Sequence, residues 1–148
     1  MFFEDFTVGR EFAIPPVTVT GEAIRSFAAS YDPLPFHLDA DYAANTPFKG
    51  LIAPGVLSFM LVWAEFVRMK VLDDGLMAGK STKIEWFAPV HEGDILSGIA
   101  RVARATKRNA GSGLIAVGIE IHNQHGVKVL YDTTELVIRT GGNRRLSR

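Results

Sequence analysis

The segment VLSFMLVWA at residues 56–64 decides the fold of this chain. It lies within a stretch of helical spacing, residues 54–72, and is apolar on almost every side. A helix that is apolar all round either spans a membrane or is covered by protein. Glu65, Arg68 and Lys70 interrupt the apolar run well short of the roughly 20 residues that a bilayer requires. The sequence therefore predicts one long helix that is covered by the rest of the protein.

Four predicted strands follow this helix and supply its cover. They are Lys80 to Val90, Asp94 to Lys107, Leu114 to His122 and Val127 to Arg139. In LIAVGIEIH at residues 114–122, large aliphatic residues alternate with smaller or polar ones, which gives this strand one apolar face. Short polar and glycine turns favour antiparallel pairing, and an early strand over residues 10–20 can join the same sheet. The predicted fold class is therefore α+β, a single domain whose antiparallel sheet wraps around a long central helix.

Composition limits the classes of function. The chain has 148 residues, of which 16 are basic and 16 acidic, so no net charge would attract nucleic acid or an anionic membrane. It has no cysteine, and its first residues do not resemble a signal peptide, so we expect a cytoplasmic protein. We expect one domain over residues 1–140 and a flexible basic tail over residues 141–148.

A segment broken by prolines carries one carboxylate and one imidazole, Asp32 and His37. Pro33 and Pro35 disfavour helical geometry in the residues before them, which predicts an irregular, partly extended loop. In polyproline geometry the two side chains would lie about 15 Å apart, so a shared site requires a turn between Pro33 and Phe36. Such a pair can exchange protons with a trapped water and so add water across a C=C bond. The alternative, which composition alone favours, is that Asp32 caps a turn and His37 packs beside Phe36.

The segment GLIAPG at residues 50–55 leads directly into the predicted helix. Pro54 suits the first turn, and the free N–H groups and the positive end of the helix dipole would lie beside Gly55. An enoyl thioester builds negative charge on its carbonyl oxygen during hydration, and such donors stabilise it. We therefore expect an oxyanion hole at Gly55, which has no side chain to obstruct the approach. The alternative is an ordinary helix start with a packing glycine.

Four segments resemble the MaoC-like dehydratases and R-specific enoyl-CoA hydratases. These segments are FEDFTVG at 3–9, similar to the N-terminal segment of that family, YDPLPFH at 31–37, similar to its Gly-Asp-x-Asn-Pro-x-His motif, GLIAPG at 50–55, similar to its glycine-rich helix start, and FAPVHEGD at 87–94, similar to its strand-turn-strand signature. Three positions depart from the family pattern. Tyr31 replaces the motif glycine, Leu34 replaces its asparagine, and Pro54 stands where a histidine is common.

The resemblance implies a hot-dog fold that dimerises so that two sheets join, with acyl-CoA as the substrate class. It maps the catalytic pair of the family onto Asp32 and His37, and its backbone oxyanion donor onto Gly55. We therefore expect reversible hydration of a 2-enoyl thioester, on coenzyme A or an acyl carrier, by a homodimer or higher homo-oligomer of fatty acid metabolism. Two alternatives stay open: thioester hydrolysis, and a non-catalytic acyl-binding or partner subunit, since Leu34 lacks the hydrogen bonds of asparagine.

The remaining polar and aromatic residues receive no catalytic or ligand role. The histidines outside the motif are His91, His122 and His125, and no two share a metal-ligand spacing with a carboxylate, so we expect neither a metal nor another cofactor. The basic residues that could meet coenzyme A phosphates are Arg101, Arg104, Lys107 and Arg108, but a solvated strand face explains them better. Glu65 either pairs with Arg68 or reaches the pocket. Trp63 and Trp86 are interpreted as core or interface aromatics.

Overall fold

The structure, a computed structural model, describes residues 1–142. The predicted basic tail therefore lies, from residue 143 onward, outside the described residues. A short 3-10 helix, Phe3–Asp5, precedes the main elements. These are β1 (Glu11–Thr18), α1 (Gly21–Tyr31), α2 (Pro35–Leu38), α3 (Ala40–Ala44), α4 (Gly55–Arg68), β2 (Leu76–Trp86), β3 (Ile95–Asn109), β4 (Ser112–His122) and β5 (Lys128–Arg139).

The five strands form one antiparallel sheet in the order β1-β3-β4-β5-β2, and α4 packs against one of its faces. The alternating face of β4 is buried as predicted. Helix α4 contributes Phe59, Val62 and Phe66 to the same core. Each large apolar side chain that leaves water here contributes about 1.5–3 kcal/mol, so the helix and the sheet stabilise each other. The prediction of a single α+β domain with a central helix is confirmed.

Helix α4 is shorter and less covered than predicted. It ends at Arg68, because Lys70 adopts a left-handed backbone (φ 59°) and its amide bonds to the carbonyl of Val67. The prediction that it is covered on almost every side is wrong for one face, since Val56 is 46% exposed and Met60 43%. A single sheet covers only one face of a helix, which leaves this apolar face open. No helix within residues 1–142 is long and apolar enough to cross a bilayer.

Strand β2 begins at Leu76 and ends at Trp86, whereas the sequence predicts residues 80–90. Its first residues pair with the end of β5, with Leu76 opposite Ile138. Long-range pairing decides these bounds, because the segment LMAG at 76–79 has little strand propensity of its own. Strand β2 lies at the edge of the sheet, and all but one of its residues are exposed.

Candidate active site

The segment between α1 and α2 positions Asp32 and His37. Asp32 is the C-cap of α1, where its amide donates to Ala28 O at 2.9 Å. Pro35 then begins α2, and the amide of His37 donates to Leu34 O at 3.0 Å. The prediction of an irregular, partly extended loop through His37 is wrong from Pro35 onward, because proline is well suited to the first turn of a helix. The turn that a shared site requires is present.

This turn brings the two candidate side chains together. Asp32 Oδ2 lies 3.2 Å from His37 Nε2, and the imidazole is 5% exposed while the carboxylate is 40% exposed. The imidazole also packs against the ring of Phe36 in a T-shaped arrangement, with centroids 4.5 Å apart. The imidazole is therefore fixed by packing, and the carboxylate is its link to solvent.

A second hydrogen bond determines which nitrogen of His37 carries a proton. Its Nδ1 lies 2.7 Å from the carbonyl oxygen of Ile52, which can only accept, so Nδ1 is the donor. Nε2 is then the ring nitrogen that faces Asp32 Oδ2, at 3.2 Å. The pair can therefore pass a proton between Nε2 and Oδ2.

The start of α4 supplies unpaired backbone donors. Gly55 is its first residue, and Pro54 is the N-cap, one position before the predicted place. The amides of Gly55, Val56 and Leu57 donate to no acceptor within residues 1–142. The first paired amide is that of Ser58, which donates to Pro54 O at 3.1 Å. These free N–H groups and the helix dipole together form a ready site for a negatively charged oxygen.

The indole ring of Trp86 fills the space beside Gly55, a contact that the sequence analysis did not predict. A Cβ on Gly55 would lie 2.3 Å from Nε1 and 2.5 Å from Cε2 of Trp86. The indole occupies the room that the missing side chain leaves, whereas the amide of Gly55 keeps no acceptor among the described residues. Trp86 is 53% exposed and ends the edge strand β2.

One cavity of about 860 Å³ joins these groups, since Asp32, His37 and Gly55 all line it. This volume lies within the usual range for small-molecule sites. Its wall is mainly apolar and includes Phe27, Tyr31, Phe48, Ile52, Trp86 and Val90. The arrangement is an acid–base pair and a set of backbone donors in a pocket that suits an apolar chain.

Most other polar residues from the sequence analysis lie outside this cavity. Glu65 pairs with Arg68, as the ordinary interpretation predicts. Arg101 pairs with Glu11, and Arg104 pairs with Glu135, on an exposed strand face. His91 Nε2 lies 2.7 Å from the carbonyl oxygen of Phe48, a residue of the cavity wall. Among residues 1–142, no three histidine, aspartate or glutamate side chains form a group that could hold a metal ion.

The five-stranded antiparallel sheet packed against α4 is the hot-dog fold, which structures of a MaoC-like dehydratase and an R-hydratase share. Sequence comparison then gives the family within this fold. The family model described as "FAS1-like, dehydratase domain region" matches residues 6–131, so the chain belongs to that family.

Individual relatives agree with this assignment. The uncharacterized protein YdeM of Bacillus subtilis is 26% identical over 140 residues, which is 94% of this chain and 99% of YdeM. The structure of the MaoC-like dehydratase from Rhodospirillum rubrum is similar with a TM-score of 0.87 and 29% identity, over 95% of this chain and 97% of that chain. The R-hydratase PhaJ1 from Pseudomonas aeruginosa gives a TM-score of 0.77 and 27% identity, over 94% of this chain and 85% of that chain.

Proposed function

We propose that this protein reversibly adds water to the C=C bond of a 2-enoyl thioester. One observation carries the proposal: Asp32 Oδ2 and His37 Nε2 lie 3.2 Å apart in a cavity that the unpaired amide of Gly55 also lines. An acid–base pair moves the protons, and a helix amide stabilises the charge on the thioester oxygen. The names of the R-hydratase and the MaoC-like dehydratase support the same reaction class.

The reaction balances because the pair returns the proton that it takes from water. The oxygen of a water attacks C3 of the enoyl group and gives a proton to the pair. The electrons of the C=C bond move toward the thioester carbonyl, whose oxygen accepts a hydrogen bond from Gly55 N–H. C2 then takes a proton from the pair, which returns to the protonation state in which it began. Dehydration is the same sequence in reverse.

The substrate follows from the cavity wall. Apart from the proposed catalytic groups the wall is mainly hydrocarbon and aromatic, so it suits an acyl chain. The thioester oxygen would lie at the start of α4, with the carrier, coenzyme A or an acyl carrier, toward the solvent.

A homodimer belongs to the same proposal. Strand β2 is an exposed edge with apolar residues such as Met77, which is 52% exposed, and α4 exposes Met60 on its uncovered face. A long exposed edge strand offers a row of unpaired backbone groups with which another chain can pair. Pairing of β2 with β2 of a second copy would join two five-stranded sheets.

Crotonyl-CoA, incubated with the protein while 3-hydroxybutyryl-CoA and free thiol are both measured, tests the proposal. Hydration without thiol release is the expected result. Thiol release without hydration would identify a thioesterase, and binding without either product would identify a non-catalytic acyl-binding subunit. Either of those results contradicts the proposal.

The Asp32→Asn and His37→Gln variants test the acid–base pair. Both should fold, yet hydrate crotonyl-CoA about 100- to 10,000-fold more slowly, because they keep the shape and remove proton transfer. Asp41→Asn is the matched control, since Asp41 is exposed on α3 and lies outside the cavity wall. Circular dichroism checks the fold, and unaltered turnover in both variants would end the assignment.

A further inference from the structure

Ser58 carries the one buried side-chain nitrogen or oxygen within residues 1–142 that has no hydrogen-bond partner. The residue is 1% exposed and lies in the first turns of α4. Buried hydroxyl groups almost always have a partner, because an unpaired one loses its bonds to water and gains nothing in return. The missing partner therefore requires an explanation, and Ser58 also lines the cavity.

The geometry of a helix directs this hydroxyl toward the unpaired amides. Ser58 follows Gly55 by three residues, so the two lie on the same face of α4. Side chains on a helix tilt toward its N-terminus, which is also the direction in which the first amides point. The hydroxyl of Ser58 and the amide of Gly55 thus approach the same region of the cavity.

No other buried polar side chain on the cavity wall is free to bind a ligand. Among the described residues, the buried polar residues that line the cavity are His37 and Ser58. His37 uses Nδ1 for Ile52 O and Nε2 for Asp32. The hydroxyl of Ser58 is therefore a buried donor that has no acceptor among the described residues.

We propose that the hydroxyl of Ser58 is a second donor to the thioester carbonyl oxygen, beside the amide of Gly55. This inference rests on the proposed function and adds a catalytic residue to it. The oxygen gains negative charge as the enolate forms, and an oxygen with two lone pairs accepts both hydrogen bonds. Because the hydroxyl has no other partner, its hydrogen bond strengthens with that charge at no cost to the fold.

Ser58→Ala tests the proposal through two quantities that should move in opposite directions. The kcat for crotonyl-CoA hydration should fall about 100-fold with KM changed far less, since the donor acts mainly in the transition state. The melting temperature should rise, because a buried unpaired hydroxyl is removed. A structural serine would instead lose stability on substitution, and that result, or an unchanged kcat, would overturn the proposal.

Ser26→Ala is the matched control. Ser26 is exposed within α1, so this variant gains the helix propensity of alanine without removing a buried hydroxyl. Its kcat should equal that of the wild type. The melting temperature should rise more in Ser58→Ala than in Ser26→Ala. A smaller rise in Ser58→Ala than in Ser26→Ala would count against the proposal.

A measurement without turnover separates this inference from the proposed function. Butyryl-CoA labelled with carbon-13 at the carbonyl has no C=C bond to hydrate, and infrared difference spectra report the stretch of its bound carbonyl. The frequency should be lower in the wild type than in Ser58→Ala at saturating ligand. Equal frequencies overturn the Ser58 contact even if crotonyl-CoA is hydrated. A lower frequency supports the contact even if hydration fails, in which case the proposed function alone is wrong.

Discussion

At the scale of single residues, Gly55 is required by a side chain on a distant strand. Its place in α4 would suit alanine, because the backbone is helical there and alanine has the higher helix propensity. The obstacle is Trp86, whose indole nitrogen lies 2.3 Å from the position of an added Cβ. The indole of Trp86 can pack at the start of the helix only if residue 55 has no side chain.

Gly55→Ala should displace the indole and reduce hydration about 100-fold, because a shift of about 1 Å at a reacting group has this cost. Tryptophan fluorescence should change in the same variant, since the indole leaves its contact. Gly79→Ala is the control, because no atom lies within 4 Å of a Cβ added there. If Gly55→Ala leaves both hydration and fluorescence unaltered, the packing described for Trp86 is wrong.

The sequence predicted the residues whose local pattern is distinctive and missed those defined by distant contacts. Asp32 and His37 could be found because two prolines interrupt the helical pattern around them. Ser58 gave no signal, since a serine within an apolar helix is common and only the folded structure shows that its hydroxyl lacks a partner. The contact between Trp86 and Gly55 was missed, because the two residues are 31 positions apart in the sequence (86 − 55) and no local pattern links them.

At the scale of elements, β2 and β5 share a buried carboxylate. Asp132 is fully buried and accepts hydrogen bonds from Thr82 on β2 and from Thr134, the latter at 2.6 Å. Burial raises the pKa of the Asp132 carboxyl above its ordinary value, and the two threonine hydrogen bonds oppose this shift. The folded state therefore keeps this proton to a higher pH than the unfolded chain does.

The free energy of unfolding should consequently fall as the pH rises from the ordinary carboxyl range through the raised pKa. Below that window both states are protonated and the stabilisation is fully present. Asp132→Asn should remove this part of the pH dependence, so its urea midpoint should change less between about pH 4 and about pH 7 than that of the wild type. The control is Asp41→Asn, which should retain the wild-type slope. An equal slope in Asp132→Asn would contradict the assignment.

The ends of α4 and β2 show why element boundaries were harder to predict than their existence. The apolar pattern continues to Val71 and Leu72, so helical spacing alone extends the helix past its end at Arg68. Close packing sets the turn that follows. Gly75 lies against the first residue of the chain, where an added Cβ would be 2.1 Å from Met1 O. No local pattern records such a contact.

At the scale of the whole molecule, the uncovered faces of β2 and α4 adjoin the cavity. Val56 and Trp86 both line it and are both exposed, so a second copy on this side would complete its wall. Activity and assembly should therefore be linked. This link extends the expectation, drawn from the family resemblance, that two sheets join.

Met77→Glu should weaken the proposed dimer at least about tenfold, because it would place an unpaired charge among apolar side chains of the proposed interface. Sedimentation velocity over a range of protein concentrations measures the change, and hydration should fall as monomer accumulates. Ile99→Glu is the control, since Ile99 is 49% exposed on β3, away from the β2 edge. A monomeric wild type with full activity would refute the link.

The position of Asp32 and His37 on one wall of the cavity has a stereochemical consequence. If a single pair handles both protons, as proposed, the hydroxyl group and the new hydrogen should reach the substrate from the same side, a syn addition. In deuterium oxide, crotonyl-CoA should therefore give one diastereomer of the 2-deuterated alcohol, which proton coupling constants identify. The diastereomer of anti addition would instead mean that a group on the opposite wall supplies the second proton, and a mixture would mean that no fixed group supplies it.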